Sequence, residues 1–132
     1  MENLLHQELT KSIINVYYDV YNELGYGFLE KVYQNSMYLE LKNRGFKVEA
    51  QKAIKVYYKK TEVGEYFADL LVNNLVIIEL KASEILVYQN ELQLLNYLKA
   101  TDKEIGLLNF GKKAEFKRLI FTNDRKQHLK NI

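Results

Sequence analysis

The sequence predicts an α/β fold: two helices, a run of antiparallel strands, a third helix and two closing strands. Three observations carry this. Apolar residues recur at three- and four-residue intervals through the first third of the chain, segments rich in Val, Ile, Tyr and Phe fill the middle between polar breaks, and helical spacing returns before two more apolar stretches. With 132 residues, 48% of them apolar, and no long low-complexity tract, residues 1–132 are one domain around one core.

From about residue 4 to 24, Leu5, Leu9, Ile13, Val16, Tyr17, Val20 and Leu24 fall on one helical face. Gly25-Tyr26-Gly27 breaks that helix and permits the tight backbone that starts the next, over residues 28–43, closed by Gly45 after Arg44. Along it Glu30 heads a stripe continued by Tyr33, Met37 and Leu41 that otherwise faces the core. Such an acid either complements the helix macrodipole or hangs over the sheet as a carboxylate available for chemistry. Residues 46–51, 54–58, 65–72 and 75–81 then read as an antiparallel meander, with 59–64 its one loop-like connection. A helix over 88–100 carries Leu92, Leu95 and Leu98, with Gln93 and Tyr97 one turn apart on a neighbouring stripe. A glutamine there needs a partner, either a backbone group or a water or phosphate. Residues 104–110 form a buried strand and 116–122 a short last one, and fraying is expected from about Asn123.

The organising stretch is Leu75-Val76-Ile77-Ile78-Glu79-Leu80-Lys81, an apolar strand that ends in an acid and a base. A strand covered on both faces does not tolerate either charge alone, so both need partners. Alternation sends Glu79 and Lys81 to one face and Leu80 to the other, and Asp69 lies one hairpin upstream. Two carboxylates and a lysine on one surface suit phosphodiester hydrolysis with Mg²⁺, which takes one or two carboxylates, keeps several waters and binds substrate phosphate oxygens. The same residues also read as an ion pair at a strand end beside a turn-proximal carboxylate. Register decides between them. A two-residue turn at Asn73-Asn74 sets Asp69 opposite Ile78 and turns it away from Glu79, so the site requires an odd-length connection or a bulge.

Composition narrows the classes. No cysteine means no disulfide and no thiolate metal site, which suits a cytoplasmic protein, and no run of about eighteen apolar residues suggests a membrane span. The net charge of +2 does not by itself indicate nucleic acid, but its distribution is uneven: Lys112, Lys113, Lys117 and Arg118 crowd the C-terminal part, and Lys52, Lys55, Lys59 and Lys60 form a second cluster. His6 and His128 are read as surface residues.

Five segments together resemble the GxxExxY proteins of the PD-(D/E)XK nuclease superfamily. They are Gly27-x-x-Glu30-x-x-Tyr33, Ala68-Asp69-Leu70-Leu71-Val72, Ile78-Glu79-Leu80-Lys81-Ala82, Gln93-Leu94-Leu95-Asn96-Tyr97-Leu98, and Gly106-Leu107-Leu108-Asn109-Phe110-Gly111 with Lys117-Arg118. The resemblance implies a restriction-endonuclease-like α-β-β-β-α-β core with a central mixed sheet, to which the first helix and last strand are additions. It implies Mg²⁺ (or Mn²⁺) on Asp69, Glu79 and the carbonyl of Leu80, with Glu30 binding directly or through water. Lys81 would position or activate the attacking water, Gln93 would orient water or substrate, and Tyr33 and Tyr97 would support them. One position departs: where similar sequences often carry an arginine two residues before the aspartate, this chain has Phe67.

Three functional readings follow. The first is a metal-dependent nuclease acting on DNA. The second is a non-catalytic nucleic-acid-binding or adaptor module that keeps the fold and binds through Lys112, Lys113, Lys117 and Arg118. The third is an interaction domain, a homodimer formed through the first helix or an open sheet edge.

Overall fold

The computed structural model describes residues 6–82, 88–110, 115–126 and 129. Two helices, α1 (Gln7–Leu24) and α2 (Glu30–Asn43), precede three strands, β1 (Val48–Tyr58), β2 (Thr61–Val72) and β3 (Val76–Lys81). Helix α3 (Tyr88–Ala100) leads to β4 (Ile105–Phe110) and β5 (Glu115–Ile120). The sheet order is β1-β2-β3-β4-β5, antiparallel except for the parallel pair β3 and β4 that α3 connects. This is the mixed sheet and α-β-β-β-α-β order expected, with α1 and β5 as additions.

The sheet is covered on both faces, which is why β3 is apolar on successive residues. On one side Ile13, Val16, Tyr17, Tyr33, Met37 and Leu41 of α1 and α2 pack on Leu70, Val72, Val76, Ile78 and Leu80. On the other, Leu94 and Leu98 of α3 pack on Ile54, Ala68, Leu71 and Ile77. Helix α3 approaches β4 so closely that a Cβ at Gly106 would lie 2.8 Å from a Leu94 methyl carbon.

Helix α2 ends as its sequence requires. Gly45 adopts φ +92°, the Phe46 amide donates to the Leu41 carbonyl at 3.1 Å, and the Gly45 amide donates to that of Lys42 at 3.0 Å, the paired bonds of a Schellman cap.

Three sequence expectations are corrected. The segments 46–51 and 54–58 are one strand: Ala50 pairs with Leu70 and Lys52 with Ala68, and the polar break between them is a kink at Gln51, whose φ is +51°. The expected loop over 59–64 is a tight turn at Lys59-Lys60, both with positive φ, because that backbone matches the twist of the flanking strands. Nor does the chain fray over Asn123–Lys126, while 127, 128 and 130–132 of the expected frayed end lie outside the described residues. Residues Asn123–Arg125 form a 3₁₀ turn, and Lys126, 2% exposed, donates to the carbonyls of Thr101 (3.0 Å) and Lys103 (2.7 Å) and to Asn123 Oδ1 (2.7 Å).

Candidate active site

The connection between β2 and β3 has three residues. Val72 pairs with Val76, Leu71 with Ile77 and Leu70 with Ile78, so Asn73, Asn74 and Leu75 form the turn. Asn73 and Asn74 take left-handed φ of 52° and 56°, a conformation asparagine tolerates, and Asn73 is tied to Lys47 by two hydrogen bonds, of 2.7 and 3.0 Å. Continued by one step, this register sets Asp69 opposite Glu79. The odd-length connection that the site requires is therefore present.

The backbone ladder between β2 and β3 stops at Leu70 and Ile78, and the Asp69 side chain takes over. Its Oδ2 accepts the Leu80 amide at 2.8 Å. On its other flank, Gln51 of β1 donates Nε2 to Asp69 Oδ1 at 3.4 Å and to Gln34 Oε1 at 2.9 Å. Gln51 occupies the register position opposite Asp69, where the β1–β2 pairing skips a residue on each strand. The alternation slips here as well: Ala68 and Leu71, three apart, share the α3-side cluster, while Leu70 lies in the other. A non-glycine residue held at left-handed φ inside a strand costs about 1–3 kcal/mol and marks a place where side-chain demands outweigh backbone preference.

Glu79 follows Ile77 toward α3 and is mostly buried. Its Oε1 is shielded from solvent and lacks a hydrogen-bond partner among the described residues. Burial, followed by the neighbouring Asp69 charge, pushes the Glu79 carboxyl up to about 8, while Lys81 acts in the opposite sense. Lys81 is half-buried and makes no ion pair within 4 Å among the described residues. Glu30, at the first turn of α2, reaches the end of β3, where its Oε1 accepts the Ala82 amide at 3.3 Å. Tyr33 secures the approach to that helix: its hydroxyl donates to the Gly25 carbonyl and accepts the Phe28 amide at 3.4 Å. Thus Glu30, Asp69, Glu79, Leu80 and Lys81 gather at the end of β3.

Gln93 and Tyr97 stand one layer out. The Gln93 amide donates to the Tyr97 hydroxyl at 3.0 Å, and the Tyr97 ring stacks on Tyr66, with centroids 3.4 Å apart. The Tyr66 hydroxyl is buried without a hydrogen-bond partner among the described residues, and burial and the Glu79 charge raise its pKa. Among the described residues Gln93 makes no hydrogen bond to the carboxylates. Phe67, in the arginine position, is 55% exposed.

The basic residues divide. Lys117 on β5 is exposed and paired with Glu91 of α3 at 3.4 Å, whereas Arg118 is partly buried and its pKa is lowered by that burial. Lys112, Lys113 and His128 lie outside the described residues. From the second cluster Lys52, Lys55 and Lys60 join Lys103, Ala53, Ile54 and Leu71 around a groove of about 710 Å³ along β1. Lys52 and Lys55 also pair with Glu49 (2.9 Å) and Glu62 (3.4 Å).

The donor set fits a hard divalent cation. Two facing carboxylates, one with an unpartnered buried oxygen, supply what Mg²⁺ takes from protein, the rest of its octahedron being water and substrate. Among the described residues no three Asp, Glu, His or Cys side chains close into a metal cage, and Glu30 caps the Ala82 amide instead.

Gln34 and Gln51 are the residues sequence reasoning missed. Gln34 had a signal, since it lies one turn after Glu30 on a core-facing stripe and is 4% exposed. Gln51 had none, because its place opposite Asp69 depends on a bulge between Val56 and Tyr57 that composition does not announce.

A family model described as the PD-(D/E)XK nuclease superfamily matches residues 7–119. No curated protein and no solved structure matches the chain. Among the described residues no helix is long and apolar enough to cross a membrane.

Proposed function

The chain belongs to the PD-(D/E)XK nuclease superfamily, and from that premise we propose that it hydrolyses phosphodiester bonds of DNA with Mg²⁺ or Mn²⁺. The observation that carries this is the register of the β2–β3 hairpin, which puts Asp69 opposite Glu79 with Lys81 two residues further on. Within the superfamily, Gly27-x-x-Glu30-x-x-Tyr33 supports placement among the GxxExxY proteins.

When bound, the cation would polarise the scissile phosphate and lower the pKa of a coordinated water. Asp69 and Glu79 would hold it, with the Leu80 carbonyl as a further ligand and Glu30 as an outer carboxylate. Asp69 is suited to this because its orientation is fixed by the Leu80 amide. Glu79 is suited because its buried oxygen lacks a partner among the described residues and a cation would draw off its proton. Lys81, unpaired among the described residues, would orient the attacking water and offset charge on the phosphate. Gln93 and Tyr97, reaching Glu79 through Tyr66, would shape the floor under the substrate. Lys117, Lys112, Lys113 and Arg118 would bear on the DNA backbone, while Lys52, Lys55 and Lys60 line a separate groove along β1, at the opposite edge of the sheet from β5.

A non-catalytic module with the same fold is the second reading. The observation in its favour is that the Gln93 amide is engaged by Tyr97 rather than turned to the carboxylates. One experiment separates the two: purified protein with single-stranded, duplex and branched DNA, in Mg²⁺ or in chelator. The nuclease reading expects metal-dependent cleavage that Asp69→Ala abolishes. Salt-sensitive binding without turnover selects the second reading, and cleavage persisting in Asp69→Ala belongs to a contaminant.

A further inference from the structure

We propose that Gln51 is a positioning residue for the Asp69 carboxylate and that Gln34 is the strut that holds Gln51 in place. Its consequence for metal binding rests on the nuclease reading, while its geometry does not.

Asp69 has one carboxylate oxygen fixed by the Leu80 amide and the other addressed by Gln51 Nε2. Glu79 also hydrogen-bonds Asp69, but a bound cation would take the place of that proton, so without Gln51 the metal-bound carboxylate would keep only the Leu80 bond and could turn about its Cβ–Cγ bond. With a hydrogen bond on each oxygen its plane is set, and the remaining lone pairs are directed by the protein rather than by solvent. Groups that orient a metal ligand are ordinarily worth about 10- to 100-fold in metal affinity.

The orientation of both glutamine amides follows from the same contacts. Ionised Asp69 only accepts, so Gln51 must present its NH₂ group. That group has two hydrogens, one for Asp69 Oδ1 and one for Gln34, so Gln34 must present its oxygen. The Gln34 NH₂ is then buried with no acceptor among the described residues, in a side chain 4% exposed. A flip of Gln34 would satisfy nothing, since it would set NH₂ against NH₂. The orphaned donor on α2 is thus explained as the consequence of holding Gln51.

The backbone points the same way. Glycine adopts left-handed φ without strain, so the only thing a glutamine adds at this kink is its side chain. Sitting opposite Asp69, Gln51 has traded its ladder contacts for a side-chain contact to the same strand.

The discriminating variant is Gln51→Gly, which relieves the strained φ while removing the amide. A merely structural glutamine would be missed by the fold; a positioning one is missed by the site. We expect Gln51→Gly to keep or raise the melting temperature of the metal-free protein while weakening Mn²⁺ binding, read by titration calorimetry, by about 10- to 100-fold. Gln34→Met should weaken Mn²⁺ binding in the same direction, and the double variant should be no worse than Gln51→Gly, because Gln34 acts through Gln51. Wild-type affinity in Gln51→Gly overturns the proposal, as do fully additive losses. A second arm needs no metal: in ¹⁵N-labelled protein the Gln51 side-chain hydrogen that faces Asp69 should be slowed in exchange, and Asp69→Ala should remove that protection while the hydrogen bonded to Gln34 keeps its own. Protection of the Asp69-facing hydrogen unchanged in Asp69→Ala overturns the geometry itself. A wild type that binds no Mn²⁺ sinks the nuclease reading, and the positioning role is then decided by the exchange arm.

Discussion

The Leu80 amide donates to Asp69 Oδ2 at 2.8 Å, Leu80 lying two residues and Asp69 one residue beyond the last paired residues of β3 and β2. A side chain has here replaced a strand carbonyl as acceptor for a residue only 2% exposed. Asp69 therefore closes the end of the hairpin as well as offering charge to the site, and these two contributions are separable. Asp69→Ala leaves the Leu80 amide without an acceptor and should cost about 1–3 kcal/mol in denaturant unfolding. Asp69→Asn keeps an acceptor of the same reach and should lose less than half as much stability. Both should lose metal-dependent cleavage by at least about 100-fold; equal destabilisation would show that the hydrogen bond is not what Asp69 gives to the fold.

The Glu79 carboxyl carries a pH dependence of fixed sign. In the folded, metal-free protein it keeps its proton up to about pH 8, whereas the unfolded chain releases it near 4.5, so between those values the folded state holds more protons. Stability from this group is complete below about pH 4.5 and is lost as pH rises to about 8, an effect on the order of a few kcal/mol. Glu79→Gln should flatten that slope and stabilise the metal-free protein at pH 8. Adding Mg²⁺ at pH 8 should raise the wild-type melting temperature and leave Glu79→Gln unmoved. Parallel pH profiles for the two proteins would contradict the assignment.

Gly106 fits under Leu94 because it has no side chain. An alanine there would set Cβ within 2.8–2.9 Å of three Leu94 side-chain carbons, so the buried Leu94 side chain or the helix that carries it would have to shift. Gly106→Ala should destabilise by about 1–3 kcal/mol. Combined with Leu94→Ala, it should cost clearly less than the sum of the single changes, since each variant makes or fills the same space. Additivity in a thermal-unfolding cycle would place the strain elsewhere.

Lys126 fastens the 3₁₀ turn to the junction of α3 and β4 through two backbone carbonyls. Burial lowers its pKa to about 8, with Glu104 and Asp102 acting the other way. Its removal in Lys126→Ala strands the Thr101 and Lys103 carbonyls and should cost about 1–3 kcal/mol. Wild-type stability with unprotected Asn123–Arg125 amides in hydrogen exchange would show that the turn is not held by this contact.

The fold was largely legible because its signals are local and redundant. Helix α1 announces itself by Ile13, Val16, Tyr17 and Val20, all buried, and Gly45 by the cap it closes. The candidate site was legible in its charges, since Glu79 and Lys81 are conspicuous at the end of an apolar strand, and strand alternation required an odd-length connection or a bulge before them. What escaped reading depends on register. Gln51 meets Asp69 only after a bulge 5 residues further along its own strand, between Val56 and Tyr57, has shifted the pairing. The Lys59-Lys60 turn escaped for a different reason: two lysines in left-handed conformation have no compositional mark, unlike the Asn-Gly pair such turns favour.

The three-residue link Asn73-Asn74-Leu75 has an implication for how this protein can fail. Val76, Ile77 and Ile78 are fully buried whichever helix layer they meet, so β3 shifted by one place still offers apolar groups to both layers. Hydrophobicity alone does little to defend its alignment; the length of the turn does. A single-codon gain or loss at Asn73 or Asn74 would disarm the proposed chemistry from a distance, with every acid and base still in the chain, and such an indel is an inert control for it.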